Sequence, residues 1–330
     1  MPEENAKPGI ESTALPFSKW VPLLAGALLG VAIRIVFSGK PGNAFAAMSS
    51  GFIYITPGIV GAVTVYLAER TRRRSWGYYL TASVGANLLF VLGTMAILIE
   101  GIICAVIIAP LFAILGALGG LIMGAICRWT NWPGKALYSI GVLPLVIGFL
   151  DPAVPTTDEI GVIERTTVID APAATVWRHI LSAPSIDPRQ IEKAWLFRIG
   201  VPLPRSGVFE EQERHRVRRV TMGKDIHFDE VITDWETDRF LRWTYRYYAD
   251  SFPPHALDEH VVLGGHYFDI RDTAYRLAPV GDRTRLTVTM HYRITTRFNW
   301  YAVPVGDWLL GNLAEANIGY YRQKSESKRL

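Results

Sequence analysis

The sequence predicts a multi-pass α-helical membrane domain joined to an α+β domain, in which a curved antiparallel sheet wraps a long C-terminal helix. Three observations predict it. Residues 20–150 are nearly free of charge and run through long apolar stretches. From Asp151 onward charges recur every few residues, and apolar positions alternate as they do in half-buried strands. The last stretch, about residues 300–324, reads as one long helix. Half of the 330 residues are hydrophobic and 19% are charged, too apolar for an ordinary soluble chain and too charged for a purely membrane-embedded one. A break near Leu150 resolves that average. The organisation is therefore a tail over 1–19, a transmembrane domain of four to five helices over 20–150, a linker over 151–160, an α+β domain over 161–324 and a short tail over 325–330.

Charge is divided in the same way. Residues 1–150 carry 10 Lys/Arg against 5 Asp/Glu, whereas the remainder carries 24 and 25. The basic excess belongs to the apolar half, which points to charge-guided membrane insertion and not to nucleic-acid binding. Cys104 and Cys127 lie near opposite ends of one apolar stretch. A helix of that length holds them roughly 30 Å apart, so they do not bridge each other. The opening residues do not read as a removable signal peptide, and the first span is expected to be its own insertion signal.

A crossing needs about 20 apolar residues in helical form. Residues 20–37 fit, with Arg34 near the end and expected to snorkel toward headgroups. Residues 51–68 fit, with Pro57 and Gly58 tolerable in a packed helix. The run from Trp76 to Cys127 contains a single charge, Glu100, and must fold back once, giving spans over 76–99 and 103–127. Residues 136–150, with Trp132 and Lys135 at their start, form a short fifth candidate. Gly116, Gly120 and Gly124 make a ridge that lets another helix approach, either inside the bundle or in a homo-oligomer. Asn87 is expected to hydrogen-bond between helices. Arg70, Arg72, Arg73, Arg74, Arg128 and Lys135 place their loops in the cytoplasm and Glu100 outside. If residues 136–150 cross, the α+β domain lies outside; if they only dip into the interface, it is cytoplasmic.

In the second half a strand over 162–169 precedes a helix opened by Asp170 and Pro172, which runs to Leu181 and is stopped by Pro184. A short helical piece covers 186–193. Strands follow over 213–222, 226–235, 239–247, 267–277 and 284–294, with turns at Gly223-Lys224, Asp238 and Gly281-Asp282. The segments Glu164–Trp177 (ERTTVIDAPAATVW), Gly223–Trp235 (GKDIHFDEVITDW) and Arg239–Trp243 (RFLRW) resemble the opening and the central hairpin of the START-like superfamily. That group is also called SRPBCC, helix-grip or polyketide cyclase/dehydrase-like. The resemblance covers about residues 161–324, and it extends to bacterial membrane proteins that join several spans to such a domain. It implies an apolar cavity between sheet and long helix, ligands of lipid, sterol, polyketide or hormone type, and residence in the cytoplasmic (inner) membrane.

The residues bear on a cavity independently. Leu241, Trp243, Tyr245 and Tyr247 share one strand face, and Leu286, Val288, Met290 and Tyr292 another. The terminal helix places Val305, Trp308, Leu309, Leu313, Ala316 and Tyr320 on one side, interrupted by Gly306, Gly311 and Gly319, which leave room beside a sheet. The alternative is a solid core. Candidate ligand-binding residues are Phe228, Glu230, Ile232, Trp243, Tyr245, Tyr267, Arg271, Met290, Tyr292, Trp308, Gly311 and Asn312. Glu230 is a candidate general acid or base if the Phe228 face points inward; otherwise it pairs with Arg219, Arg242 or Arg246. Arg214, Arg216, Arg218 and Arg219, with acidic neighbours, read as a mixed solvated surface. His255, His260 and His266 lack metal-ligand spacing, so no metal is expected, and their loop is expected to be solvated over the pocket mouth. No cofactor motif is present. The leading expectation is membrane-tethered binding of a lipid or other hydrophobic small molecule; the alternatives are a cyclase or dehydratase using Glu230 and a membrane assembly module.

Overall fold

The computed structural model describes residues 20–130, 141–212 and 215–327. The N-terminal tail, Trp132 and Lys135 with the start of the fifth candidate span, and the Glu213–Arg214 pair lie outside them. The apolar half folds as α1 (Val21–Val36), α2 (Thr56–Glu69), α3 (Trp76–Ala96), α4 (Ile102–Trp129) and α5 (Leu143–Leu150). Among the described residues three helices are long and apolar enough to cross a membrane: Gly51–Glu69, in which a π-helical turn Gly51–Ile55 leads into α2, together with α3 and α4. Helix α1, at 16 residues, and the apolar stretch Leu143–Ala153 that contains α5 are shorter. Pro57 sits where the π-helical turn passes into α2.

Small residues set the spacing of this bundle. A Cβ on Gly61 would lie 2.0 Å from the Gly116 carbonyl oxygen, and one on Gly119 would lie 2.0 Å from that of Gly58, so α2 and α4 touch backbone to backbone. On the neighbouring face Gly116, Gly120 and Gly124 lie against Asn87, Ser83 and Tyr79 of α3. The ridge is thus filled inside the chain. Asn87 Nδ2 donates to the Pro57 carbonyl at 3.2 Å, the interhelical bond expected of it. Arg34, by contrast, does not snorkel. Helices α1 and α3 end side by side, so Arg34 is buried and its Nε donates to Glu100 at 2.6 Å; neither charge is free to face solvent or headgroups.

The second half contains β1 (Glu159–Ile169), α6 (Ala173–Leu181), α7 (Trp195–Arg198), β2 (Pro204–Gln212), β3 (His215–Met222), β4 (His227–Glu236), β5 (Phe240–Arg246), β6 (Phe268–Val280), β7 (Arg283–Ile294) and α8 (Asn299–Glu326). The strands form one antiparallel sheet in the order β1-β7-β6-β5-β4-β3-β2. Tight turns with positive φ at Lys224, Asp225, Asp238 and Gly281 make the hairpins where the sequence signals them. Strand β2 was not among the expected strands, and the short helical piece expected over 186–193 is a 3₁₀ turn at Pro188–Gln190 followed by α7.

Helix α8 lies across the inner face of the sheet, and Leu241, Trp243, Leu286, Val288, Leu310 and Ala314 pack together there, each at most 3% exposed. Truncating a fully buried Trp such as Trp243 costs roughly 3–5 kcal/mol. The expected free linker is tied down: Arg297 donates to the carbonyls of Asp151, Val154 and Pro155 and pairs with the Asp151 carboxylate at 3.4 Å. The two halves meet directly. Asp258 accepts from the Cys104 N–H at 2.7 Å, Tyr301 donates to the Ile107 carbonyl at 2.6 Å, and Phe298 joins the phenylalanine cluster of the bundle.

Candidate functional site

Strands β3 to β7 turn one face toward α8, and the space between them is not filled. A cavity of about 320 Å³ remains, within the size range of small-molecule pockets. Its sheet wall includes Val220, Phe228, Trp243, Tyr275 and Met290, and its helix wall includes Gly306, Leu309, Leu313 and Tyr321. At Gly306 a Cβ would come 2.7 Å from the Ile294 side chain, so the missing side chain lets α8 approach β7 there. The cavity continues past the sheet into the bundle, where Phe52, Phe90, Ile103, Ile108 and Phe112 line it.

Two polar groups of residues punctuate this apolar lining. On the sheet, Arg218 and Glu230 stand directly opposite each other on β3 and β4, and Arg218 Nη1 donates to Glu230 Oε2 at 2.5 Å. Both side chains are less than a tenth exposed. The guanidinium lies 5.5 Å from the Trp243 ring centre and occupies the space beside Gly207, where a Cβ would stand 2.3 Å from it. Burial pushes the Glu230 carboxyl above its ordinary range, and the Arg218 charge opposes that rise. Next to the pair, the Tyr245 hydroxyl shares a 2.7 Å hydrogen bond with Thr273, and burial raises its pKa. At the junction with the bundle, His260 Nε2 lies 3.8 Å from Glu100, which Arg34 already holds. Burial lowers the His260 pKa, against the pull of Glu100.

Six of the twelve candidate residues line the cavity: Phe228, Glu230, Trp243, Tyr245, Tyr267 and Met290. Burial raises the Tyr267 hydroxyl to about 12. The other six point elsewhere. A register shift between Ile270 and Asp272 reverses the alternation of β6, so Ile270 faces in and Arg271 faces solvent. Tyr292 is fully buried but packs over Gly161 and donates to Asp307, while Ile232 packs against the core beside the cavity. On α8, Val305, Leu309, Leu313 and Tyr320 line the cavity as expected, but Trp308 is half exposed against Trp195, Asn312 accepts from the Trp195 N–H, and Gly311 abuts Arg165 of β1.

Arg218 is a charged lining residue that sequence reasoning missed, as it missed the bundle side chains. It is not part of a solvated surface, and it is Glu230's partner in place of Arg219, Arg242 or Arg246. The available signal was its two-residue spacing from Val220 and Met222, which puts it on the apolar face. The histidine loop also differs from expectation, because Asp258 and His260 are docked on the bundle and not solvated. Among the described residues no group of three or more His, Cys, Asp or Glu side chains is arranged to hold a metal.

A seven-stranded antiparallel sheet wrapped on one long C-terminal helix, with a cavity between them, is a specific arrangement. It fits a helix-grip domain. Solved structures similar to this chain include the ZhuI aromatase/cyclase from Streptomyces (14% identity, 52% of this chain and 97% of that one, TM-score 0.34). A Thermus thermophilus protein (15%, 52% and 100%, TM-score 0.33) and a norcoclaurine synthase mutant from Thalictrum (15%, 53% and 99%, TM-score 0.29) are also similar. Each of these structures matches about half of this chain. No family model and no curated protein matches it.

The helix-grip domain buries a charge pair whose halves depend on each other. Arg218→Met or Glu230→Leu alone should lower stability by roughly 3–5 kcal/mol, because each leaves a buried charged partner unmatched. The Arg218→Met/Glu230→Leu double variant should recover most of that loss in thermal melts of the full chain. Additive losses in the double variant would mean that the two side chains do not interact.

Proposed function

We propose that this is an integral membrane protein whose helix-grip domain binds a lipid or another hydrophobic small molecule beside the bilayer. The observation that carries this reading is the apolar cavity shared by the two halves of the chain. A site that opens onto a membrane-embedded bundle receives molecules already concentrated in the lipid phase. Membrane residence is supported by the three long apolar helices and by the large side chains they turn outward. Leu92, Ile114 and Ile122 are each more than half exposed, a surface that water would not tolerate over so wide a patch.

The enzyme reading rests on Glu230. Arg218 donates to Glu230 Oε2 at 2.5 Å, so that oxygen is engaged within the protein and is not directed at a substrate. The assembly reading rests on the glycine ridge, and α2 and α3 occupy that ridge within the chain. Ligand binding without covalent chemistry is the reading best supported.

Sidedness follows from connectivity. Arg34, Glu100 and Asp151 gather at the end of the bundle that meets the sheet, while Arg128 donates to the Arg74 carbonyl at the other end. Basic loops stay in the cytoplasm, so the helix-grip domain is assigned to the outer face.

Native mass spectrometry of the full chain after gentle extraction should reveal a stoichiometric apolar adduct. Leu313→Trp, which fills the cavity, should remove it. A bare wild-type mass together with exclusion of apolar dyes would overturn the binding reading. In spheroplasts of a strain carrying Cys104→Ser and Cys127→Ser, an impermeant maleimide should label Arg322→Cys but not Arg72→Cys; the reverse pattern would overturn the assigned sidedness.

A further inference from the structure

The cavity is chemically divided along its length. Its sheet portion carries Arg218, Glu230, Tyr245 and Thr273, whereas its bundle portion is walled by aromatic and aliphatic side chains. Phe52, Phe90 and Phe112 form one packed group there, with ring centres 5.6–6.1 Å apart. The two charged side chains that line the junction, Arg34 and Glu100, are bound to each other. The other polar bundle residues on the wall are few: Cys104, and Thr94, whose hydroxyl donates to the Val91 carbonyl. The rest of that portion suits an alkyl chain.

The sheet portion holds a buried donor that is not used. Arg218 sends Nη1 to Glu230, but its Nε–H is buried with no acceptor among the described residues, and the side chain is only 8% exposed. A buried charged donor left unpaired is costly, and an acceptor oxygen placed against it recovers that cost. Electrostatics selects the kind of oxygen. Glu230 already neutralises Arg218 at 2.5 Å, so a ligand carboxylate would meet the Glu230 charge at close range. A neutral oxygen meets no such repulsion.

We propose that the helix bundle forms half of the binding site. The ligand is a single-chain amphiphile with a neutral acceptor oxygen, an alcohol, ketone or ester, which lies against Arg218, and its alkyl chain extends into the bundle among Phe52, Phe90 and Phe112. This rests on the ligand-binding reading above and deepens it. The bundle then measures chain length while the sheet selects the head.

The test uses the full chain in detergent and a series of 1-alkanols, from octanol to octadecanol, displacing an apolar fluorescent dye. Affinity should climb about fourfold per methylene while the added carbons enter the bundle. Alkanoic acids of equal length should bind more weakly. Ile108→Trp, or the milder Ile108→Phe, should abolish the gain for the longest alkanols and leave octanol unchanged. Arg218→Lys, which keeps a cation beside Glu230 but removes Nε, should weaken every alkanol on the order of tenfold. Equal weakening of short and long alkanols by both Ile108 variants, or no effect at all, would overturn the bundle assignment. Equal affinity of acids and alcohols would overturn the head assignment. A wild-type chain that retains a native apolar adduct but binds no alkanol overturns this inference alone, whereas a chain that takes up neither adduct nor dye overturns the binding reading itself.

Discussion

Helix α4 begins at Gly101, a residue with no side chain to cap it, and the carboxylate of Asp258 does so from the other half of the chain. The first N–H groups of a helix have no partner within it, and the helix end carries a partial positive charge. Asp258 Oδ2 accepts from Cys104 N–H at 2.7 Å and places its negative charge at that end. Only glycine admits this approach, since a Cβ on Gly101 would lie 1.4 Å from Asp258 Oδ1. Around this contact Ile103 packs with Leu309 and Ile199, and the Arg34–Glu100 pair meets His260. The cavity becomes continuous because this junction brings the open side of the helix-grip cleft against the bundle.

The same junction explains why the interior is apolar and close to neutral despite four charged side chains along it. Each carboxylate is held by a guanidinium: Glu100 by Arg34 and Glu230 by Arg218. Burying such pairs yields little net stability, but separating them is expensive. They therefore fix the cavity's polar points and leave the rest of its wall to Trp243, Met290, Leu309 and the phenylalanines of the bundle.

Much of the fold was legible in the sequence, and the misses have physical causes. Apolar length alone located α2, α3 and α4, and period-two alternation located β1 and β3 to β7, because both signals are local. Strand β2 was missed because Pro204, Arg205, Ser206 and Gly207 give an edge strand almost no apolar pattern. At the site, Phe228, Glu230, Trp243 and Met290 followed from counting along strands. Arg271 did not, because the β6 bulge breaks the count. Trp308 and Gly311 were misplaced because Trp195 and Arg165, the groups they lie beside, are far away in sequence. The junction was invisible for the same reason: a glycine at 101 and an aspartate at 258 signal nothing singly.

The most direct test of the shared cavity is proximity across the junction. In a chain with Cys104→Ser and Cys127→Ser, the Ile103→Cys/Leu309→Cys pair should be joined within one chain by a short bis-maleimide in native membranes, and adding Gly101→Ala should abolish the joining. If the pair fails to join while a control pair within the helix-grip domain does, the bundle and the sheet do not close one cavity.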